Sequence, residues 1–179
     1  MPYKNTPRIE MSDKFLPEIS KEQLLEVQNK GDLHAYYDLL CNPLHEELYR
    51  RQDFVFLEDL TEAQQLFISY DYVQNQVLQG GFIQLFQNGY VGLLPNMPGW
   101  LITIGQEAMS KVIDDALKEF VLNHEVLSKE TTVEEFALMY DKLPQFGDLD
   151  DRFKALHEQT LKGMLEFATN HIEEFAVIK

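Results

Sequence analysis

The sequence predicts an all-α fold, a compact single-domain bundle of about seven to nine helices, on three observations. Apolar residues recur three and four positions apart over long stretches, as in Leu66, Phe67, Tyr70, Val73 and Val77. Helix-start signatures stand ahead of such stretches: Ser20 with Gln23, and Thr132 with Glu135, each have the spacing of a capping box. No alternating strand pattern of useful length competes with them, and no internal repeat is present. With 179 residues, 45% of them hydrophobic and 12% aromatic, the chain can bury a real core and is excluded from the disordered class.

Residues 1–19, with three prolines among polar side chains, are expected to form an irregular N-terminal arm, and residues 20–179 one helical domain. Leu24, Leu25 and Val27 follow the Ser20 cap and end at Gly31, after which Asp32 caps a second helix through Tyr36, Tyr37, Leu39 and Leu40. Asn42-Pro43 has the form of an N-cap and first helical residue, opening a third helix through Leu44 and Leu48. Phe54 to Leu60 reads as a loop, and Thr61 caps the long helix that the Gly80-Gly81 pair breaks and Phe82 to Asn88 restarts. A loop over Gly89 to Pro95 leads to a helix started by Pro98. Met109, Val112, Ile113, Ala116, Leu117 and Phe120 then mark a helix from Gln106 to His124. Phe136, Met139 and Tyr140 mark another behind Thr132, and the last helix runs from about Asp148 to Phe175.

The segment around which these helices are arranged is Tyr72 to Gln106, which holds no Asp, Glu, Lys, Arg or His in a chain that is 25% charged. Its glycines, prolines and amides break it too often for a membrane span, so it is expected at the centre of the fold. The N-terminus shows no apolar export signal, and a single cysteine, Cys41, allows no internal disulfide; a cytoplasmic protein is expected.

The net charge of −15 argues against direct binding to nucleic acid or an anionic membrane. Several basic residues follow an acid by four positions: Glu26–Lys30, Glu46–Arg50, Glu47–Arg51, Glu107–Lys111, Asp114–Lys118, Asp150–Lys154 and Glu158–Lys162. Such pairs are locally neutral, so the surplus acid falls elsewhere. No Lys or Arg occurs from Gln52 to Ser110, while Asp53, Glu58, Asp59, Glu62 and Asp71 fall early in that window. Glu130, Glu134, Glu135, Asp141, Asp148 and Asp151 form a second surplus, opposed nearby by Lys142 and Arg152, and Glu18 and Glu22 a third patch. The contacts expected with a partner are Asp53, Glu58, Asp59, Glu62, Glu130, Glu134, Glu135, Asp148 and Asp151. Carboxylates on rigid helices imitate the charge and repeat of a phosphate backbone, though acidity also serves solubility alone.

Catalytic signatures are absent. His45-Glu46-Glu47-Leu48-Tyr49 lacks the second histidine of a zinc helix, His157-Glu158 lacks it too, and Gly80-Gly81 is followed by no phosphate-loop lysine. Cys41 sits on an apolar-patterned helix as a core residue. No cofactor and no metal is called for, and a non-enzymatic protein is expected. Gln74, Asn75, Gln76, Gln79, Gln84, Gln87 and Asn88 either tie the Gly-Gly break to neighbouring helix ends or, through Gln84 and Asn88, line a polar pocket.

Gly80-Gly81-Phe82-Ile83-Gln84-Leu85-Phe86-Gln87-Asn88 resembles the N-G-G-F-x-Q-F-F-x-N signature of the bacterial DNA-mimic-protein-like family. The likeness extends through Ile104-Gly105, Ala116 to Phe120 and Leu149-Asp150-Asp151-Arg152-Phe153, over roughly residues 61–175, with Gln79 in place of the usual Asn. The resemblance implies a compact helical protein, acidic, cytoplasmic, often dimeric and not known as an enzyme, named for mimicry of duplex DNA towards a DNA-binding regulator. Its motif residues, Gly80, Gly81, Phe82, Gln84, Phe86 and Asn88, lie in the uncharged segment and are expected to be structural. The leading expectation is a binding protein offering its carboxylates to a basic partner, a transcription regulator or nucleoid protein. The second is an interaction module binding through an apolar groove with Leu93, Leu94, Met97 and Trp100 uncovered, and the third a small-ligand binder or enzyme on the Gln84–Asn88 face.

Overall fold

The computed structural model describes residues 13–179, so most of the expected arm lies outside the described residues. Seven α-helices are present there: α1 Lys21–Lys30, α2 Leu33–Arg51, α3 Glu62–Gln87, α4 Met97–Thr103, α5 Glu107–Leu127, α6 Val133–Lys142 and α7 Gln145–Asn170. The fold is all-α. Ser20, Thr61 and Thr132 each close a capping box with the Gln or Glu three residues on, and Asp32 caps α2 by accepting from the Ala35 amide at 3.0 Å.

Four local expectations are corrected. Asn42-Pro43 opens no new helix, because α2 runs through it: Pro43 removes one backbone donor, and burial of Leu40, Cys41, Leu44 and Leu48 on both sides holds the helix together. The two expected loops are 3-10 turns, Phe54–Asp59 and Tyr90–Leu93. The last helix begins at Gln145 and ends at Asn170, so buried Phe175 packs from beyond its end, after a 3-10 turn over Ile172–Glu174. The end of the expected arm is ordered: Glu18–Ile19 (β1) pairs in parallel with Val177–Ile178 (β2), and Ile19 is buried.

α3 is the central element, packed against α2, α4, α5 and α7. Its apolar residues join those of the other helices in one large core, while Leu44, Leu48, Phe56, Leu60 and Ile68 form a smaller cluster under the first 3-10 turn. α3 is interrupted at Gly81, whose φ of 78° and ψ of −178° are open only to glycine. Beyond it the chain turns back on itself. Asn88 and Gln84 bond Gln76, at 2.7 and 3.2 Å, and the ring of Tyr90 stacks on that of Tyr72 at 5.4 Å.

The helix that restarts at Phe82 needs an acceptor for its first amide. Asp150 of α7 supplies one, with Oδ1 accepting from the Phe82 N–H at 2.8 Å. Its Oδ2 accepts from the Tyr140 hydroxyl at 2.6 Å, and that hydroxyl also lies 3.1 Å from the Gly80 carbonyl. Asp150 is 6% exposed, so the surface pair expected with Lys154 does not form. Burial pushes its carboxyl pKa up, against the bonds from Tyr140 and Phe82 that favour the charged form. Two other pairs are rearranged: Lys111 takes Asp115 in place of Glu107, and Arg50 takes Glu47 in place of Glu46. Arg50 and Arg51 together hold the Glu47 carboxyl down at about 2.

A Cβ on Gly81 would lie 1.9 Å from the Tyr140 hydroxyl oxygen and 2.2 Å from Asp150 Oδ2, whereas one on Gly80 would meet the Gln84 side chain alone, its Oε1 at 1.9 Å and its Cβ at 2.9 Å. Gly81→Ala is therefore expected to cost about 3 kcal/mol or more in urea unfolding, from strain and lost bonds together. Gly80→Ala should cost less, about 1 to 2 kcal/mol, since the end of Gln84 can turn away at the loss of its bond to Gln76 while the backbone gives slightly at its Cβ. Asp150→Ala, which strands the buried Phe82 amide and leaves the Tyr140 hydroxyl only the Gly80 carbonyl, should fall nearer the first.

His157 stacks on Tyr70 and Phe153, with Nδ1 3.0 Å from the Tyr70 hydroxyl and Nε2 buried without a hydrogen-bond partner among the described residues. Burial, helped by His34, lowers its pKa below the ordinary 6.5. A histidine lowered in this way contributes stability that is complete above pH 6.5 and is lost as pH falls from there through the folded-state pKa. Urea midpoints should drop between pH 7 and 5, and His157→Phe should flatten that slope.

Candidate functional site

The nine carboxylates singled out above, Asp53, Glu58, Asp59, Glu62, Glu130, Glu134, Glu135, Asp148 and Asp151, are all exposed. They are carried by turns and helix starts, where acid is favoured by the orientation of the peptide dipoles. Three have a local task as well. Asp53 accepts from the Val55 amide at 2.9 Å, Glu135 accepts from the Thr132 amide at 2.8 Å, and Asp59 pairs with Arg51 at 2.6 Å. Asp148 lies 3.8 Å from Arg152, which is shared with Asp115 at 2.9 Å. Among the described residues, Asp53, Glu58, Glu62, Glu130, Glu134, Glu135 and Asp151 form no ion pair.

The fold sorts these groups into two regions. In the first, Glu58, Asp59 and Glu62 surround the start of α3. Thr61 Oγ1 donates to the Glu174 carbonyl at 2.8 Å and Gln64 Nε2 to the Phe175 carbonyl at 3.0 Å, which lays the C-terminal 3-10 turn over the same helix start. Glu173 and Glu174 thereby join the region. Burial raises the Glu174 pKa, His171 opposes the rise, and the charges of Glu173 and Glu62 add to it. Sequence reasoning missed this pair, because it lies inside the stretch read as the end of the last helix and gives no sign that the chain returns to Thr61.

The second region is formed by Glu130, Glu134 and Glu135, on the approach to α6 and in its first turn, while Asp148 and Asp151 lie apart from them in sequence, in the first turns of α7. The Tyr140–Asp150 bond ties these two helices together beside Gly81. The regions are well apart: Gln76, which holds the fold-back, is fourteen residues after Glu62, or about 21 Å along the α3 axis. Asp53 belongs to neither cluster; its neighbour Phe54 borders a hollow of about 400 Å³ with Asn88, Tyr90 and Leu93.

The motif residues lie beneath the second region. Gly81, Phe82 and Phe86 are buried, with the Phe86 ring 4.7 Å from that of Phe120 and 6.0 Å from that of Phe146. Gln87 is used at both ends of its amide, donating to the Leu127 carbonyl at 2.6 Å and accepting from the Thr131 hydroxyl at 2.9 Å. Gln84, Asn88 and Gly80 lie at the fold-back. An open cleft of about 500 Å³ separates this face from α6, with Glu130, Thr131 and Phe136 on the opposite wall.

The expected apolar groove is not there. Leu94 and Met97 are 0% exposed, because the turn after Gly89 presses them into the core, and Trp100 is half-buried. Exposed apolar side chains gather instead on the second half of α5, where Leu117, Val121 and Leu122 edge a shallow hollow. Among the described residues no helix is long and apolar enough to cross a membrane.

No curated protein matches the chain. The profile of a family described as DMP19-like protein matches residues 58–171, a span that starts at Glu58 and takes in the Gly81 fold-back and helices α3 to α7, while α1, α2 and the C-terminal turn lie outside it. The chain belongs to the DMP19-like protein family.

Proposed function

We propose that the protein is a non-enzymatic DNA mimic, a cytoplasmic protein that presents its carboxylates to a basic DNA-binding protein and keeps that partner from DNA. One observation carries the reading: seven of the nine carboxylates are exposed, mounted on rigid turns and helix starts, and unpaired among the described residues. Membership of the DMP19-like family agrees with it. A partner built for duplex DNA carries Arg and Lys spaced for phosphates, and a fixed acidic surface attracts it with strong dependence on salt.

Homodimerisation is the second reading for the chain, favoured by the apolar patch on α5, where Val121 is 67% and Leu122 76% exposed. Sedimentation of the wild type against Val121→Lys separates the two states.

For the acidic surface, the protein is immobilised, exposed to native lysate at low salt and eluted along a salt gradient. A discrete basic DNA-binding protein, released by moderate salt and displaced by duplex DNA, is the expected result. Exchange of Glu58, Glu62, Glu130 and Glu134 for glutamine should weaken its capture by about tenfold or more and flatten the salt slope. Unchanged affinity and slope in that variant would contradict the proposal.

A further inference from the structure

The cleft between the α3 fold-back and the start of α6 is built of hydrogen-bond acceptors. Gln76 Oε1 receives both the Gln84 and the Asn88 amide nitrogens, at 3.2 and 2.7 Å. Their carbonyl oxygens, Asn88 Oδ1 and the Gln84 Oε1 that lies over Gly80, have no protein donor among the described residues. Gln87 also lines the cleft, with its nitrogen and its oxygen each already engaged in one bond. Glu130 is the one ionisable residue of the lining, and it is exposed and without an ion pair among the described residues. The unbonded carbonyl oxygens and this carboxylate favour a ligand that brings donors and positive charge.

An anion is disfavoured, although a helix begins here. The first amides of α6 would attract one, but the Thr132 side chain already accepts from the Glu135 N–H at 3.2 Å. The Glu135 carboxylate takes the Thr132 N–H in return, and Glu130 would repel a second negative charge. Phe136, half-buried, is the one aromatic residue of the cleft lining and supplies a ring against which a planar cation can pack. Planarity, several donors in one fork and fixed charge together describe a guanidinium better than an ammonium.

We infer that this cleft receives an arginine side chain of the basic partner, with Glu130 and Asn88 Oδ1 accepting from the guanidinium and Phe136 lying against its plane. The inference rests on the reading of the protein as a binder of basic proteins, and gives that binder one specific point of attachment within a diffuse acidic surface. It also assigns a role to the Asn88 end of the family motif that its buried members do not have.

The test is a titration of the full-length isotope-labelled protein with tetra-arginine and, separately, tetra-lysine peptides, followed by NMR. Saturable shifts of the Asn88 and Gln84 side-chain amides and of the Phe136 ring are expected with arginine. Affinity should be about tenfold weaker for lysine and for arginine against Glu130→Gln. Glu22→Gln, in the first turn of α1 and outside both acidic regions, should stay within about twofold. Shifts confined to the Glu58, Glu62 and Glu174 region would overturn the arginine cleft while leaving the acidic surface standing. Equal binding of the two peptides at the cleft would overturn the choice of guanidinium, and no shift anywhere would overturn both proposals. The unperturbed amide pattern of Glu130→Gln reports that the variant is folded.

Discussion

The carboxylate of Asp150 is bound inside the protein where α3 doubles back, and three segments meet on it. It holds the first amide of the restarted helix at Phe82 and the hydroxyl of Tyr140 from α6, and it is itself carried by α7. An ionised carboxylate out of water is costly unless its oxygens are bonded, and each oxygen here has a donor. Gly81 is the other half of the device. It gives the backbone a conformation closed to other residues, and its missing Cβ leaves the space in which the two oxygen atoms lie. Removal of either partner leaves buried polar groups without bonds, so the turn is specified from two sides.

The consequence for function is one of placement. The fold-back returns Asn88 to Gln76 and brings the Gln87 amide to the end of α5, which fixes the approach to α6 and with it Glu130, Glu134 and Glu135. The uncharged centre is thus a mount. Apolar packing of Phe86 against Phe120 and Phe146 makes the mount rigid, and the acids stand on its outer ends, where water screens their mutual repulsion. The start of α3 does the same for the other region, through the bonds of Thr61 and Gln64 to the C-terminal turn. Rigid placement is what separates a surface that imitates phosphates from one that is merely soluble.

Helical class, the capping boxes at Ser20 and Thr132, the Thr61 cap and the break at the glycine pair were legible in the sequence, because each depends on neighbours within four residues. Pro43 misled the reading, since a proline signals a helix start locally and is tolerated inside α2 only through burial of Leu40 and Leu44 by distant helices. Asp150 was assigned to a surface pair with Lys154 on spacing alone; its partners lie 10 and 68 residues away, and no local pattern names them. The nine carboxylates are exposed, as charged side chains mostly are. Their division into two regions, the entry of Glu173 and Glu174 into one and the cleft beside Asn88 all follow from how helices dock. An unpaired donor at a helix restart was the signal available: a Gly-Gly break demands an acceptor, and the buried carboxylate answers it.

The account depends above all on the Asp150 bond to Phe82, and native-state amide hydrogen exchange at Phe82 reads it directly. A bond made by a buried carboxylate at the centre of the fold opens only with global unfolding, so the Phe82 amide should exchange among the slowest in the protein and with the full unfolding free energy. Rapid exchange at Phe82, while the flanking amides of α3 and α7 stay protected, would contradict the claim that this bond holds the fold-back.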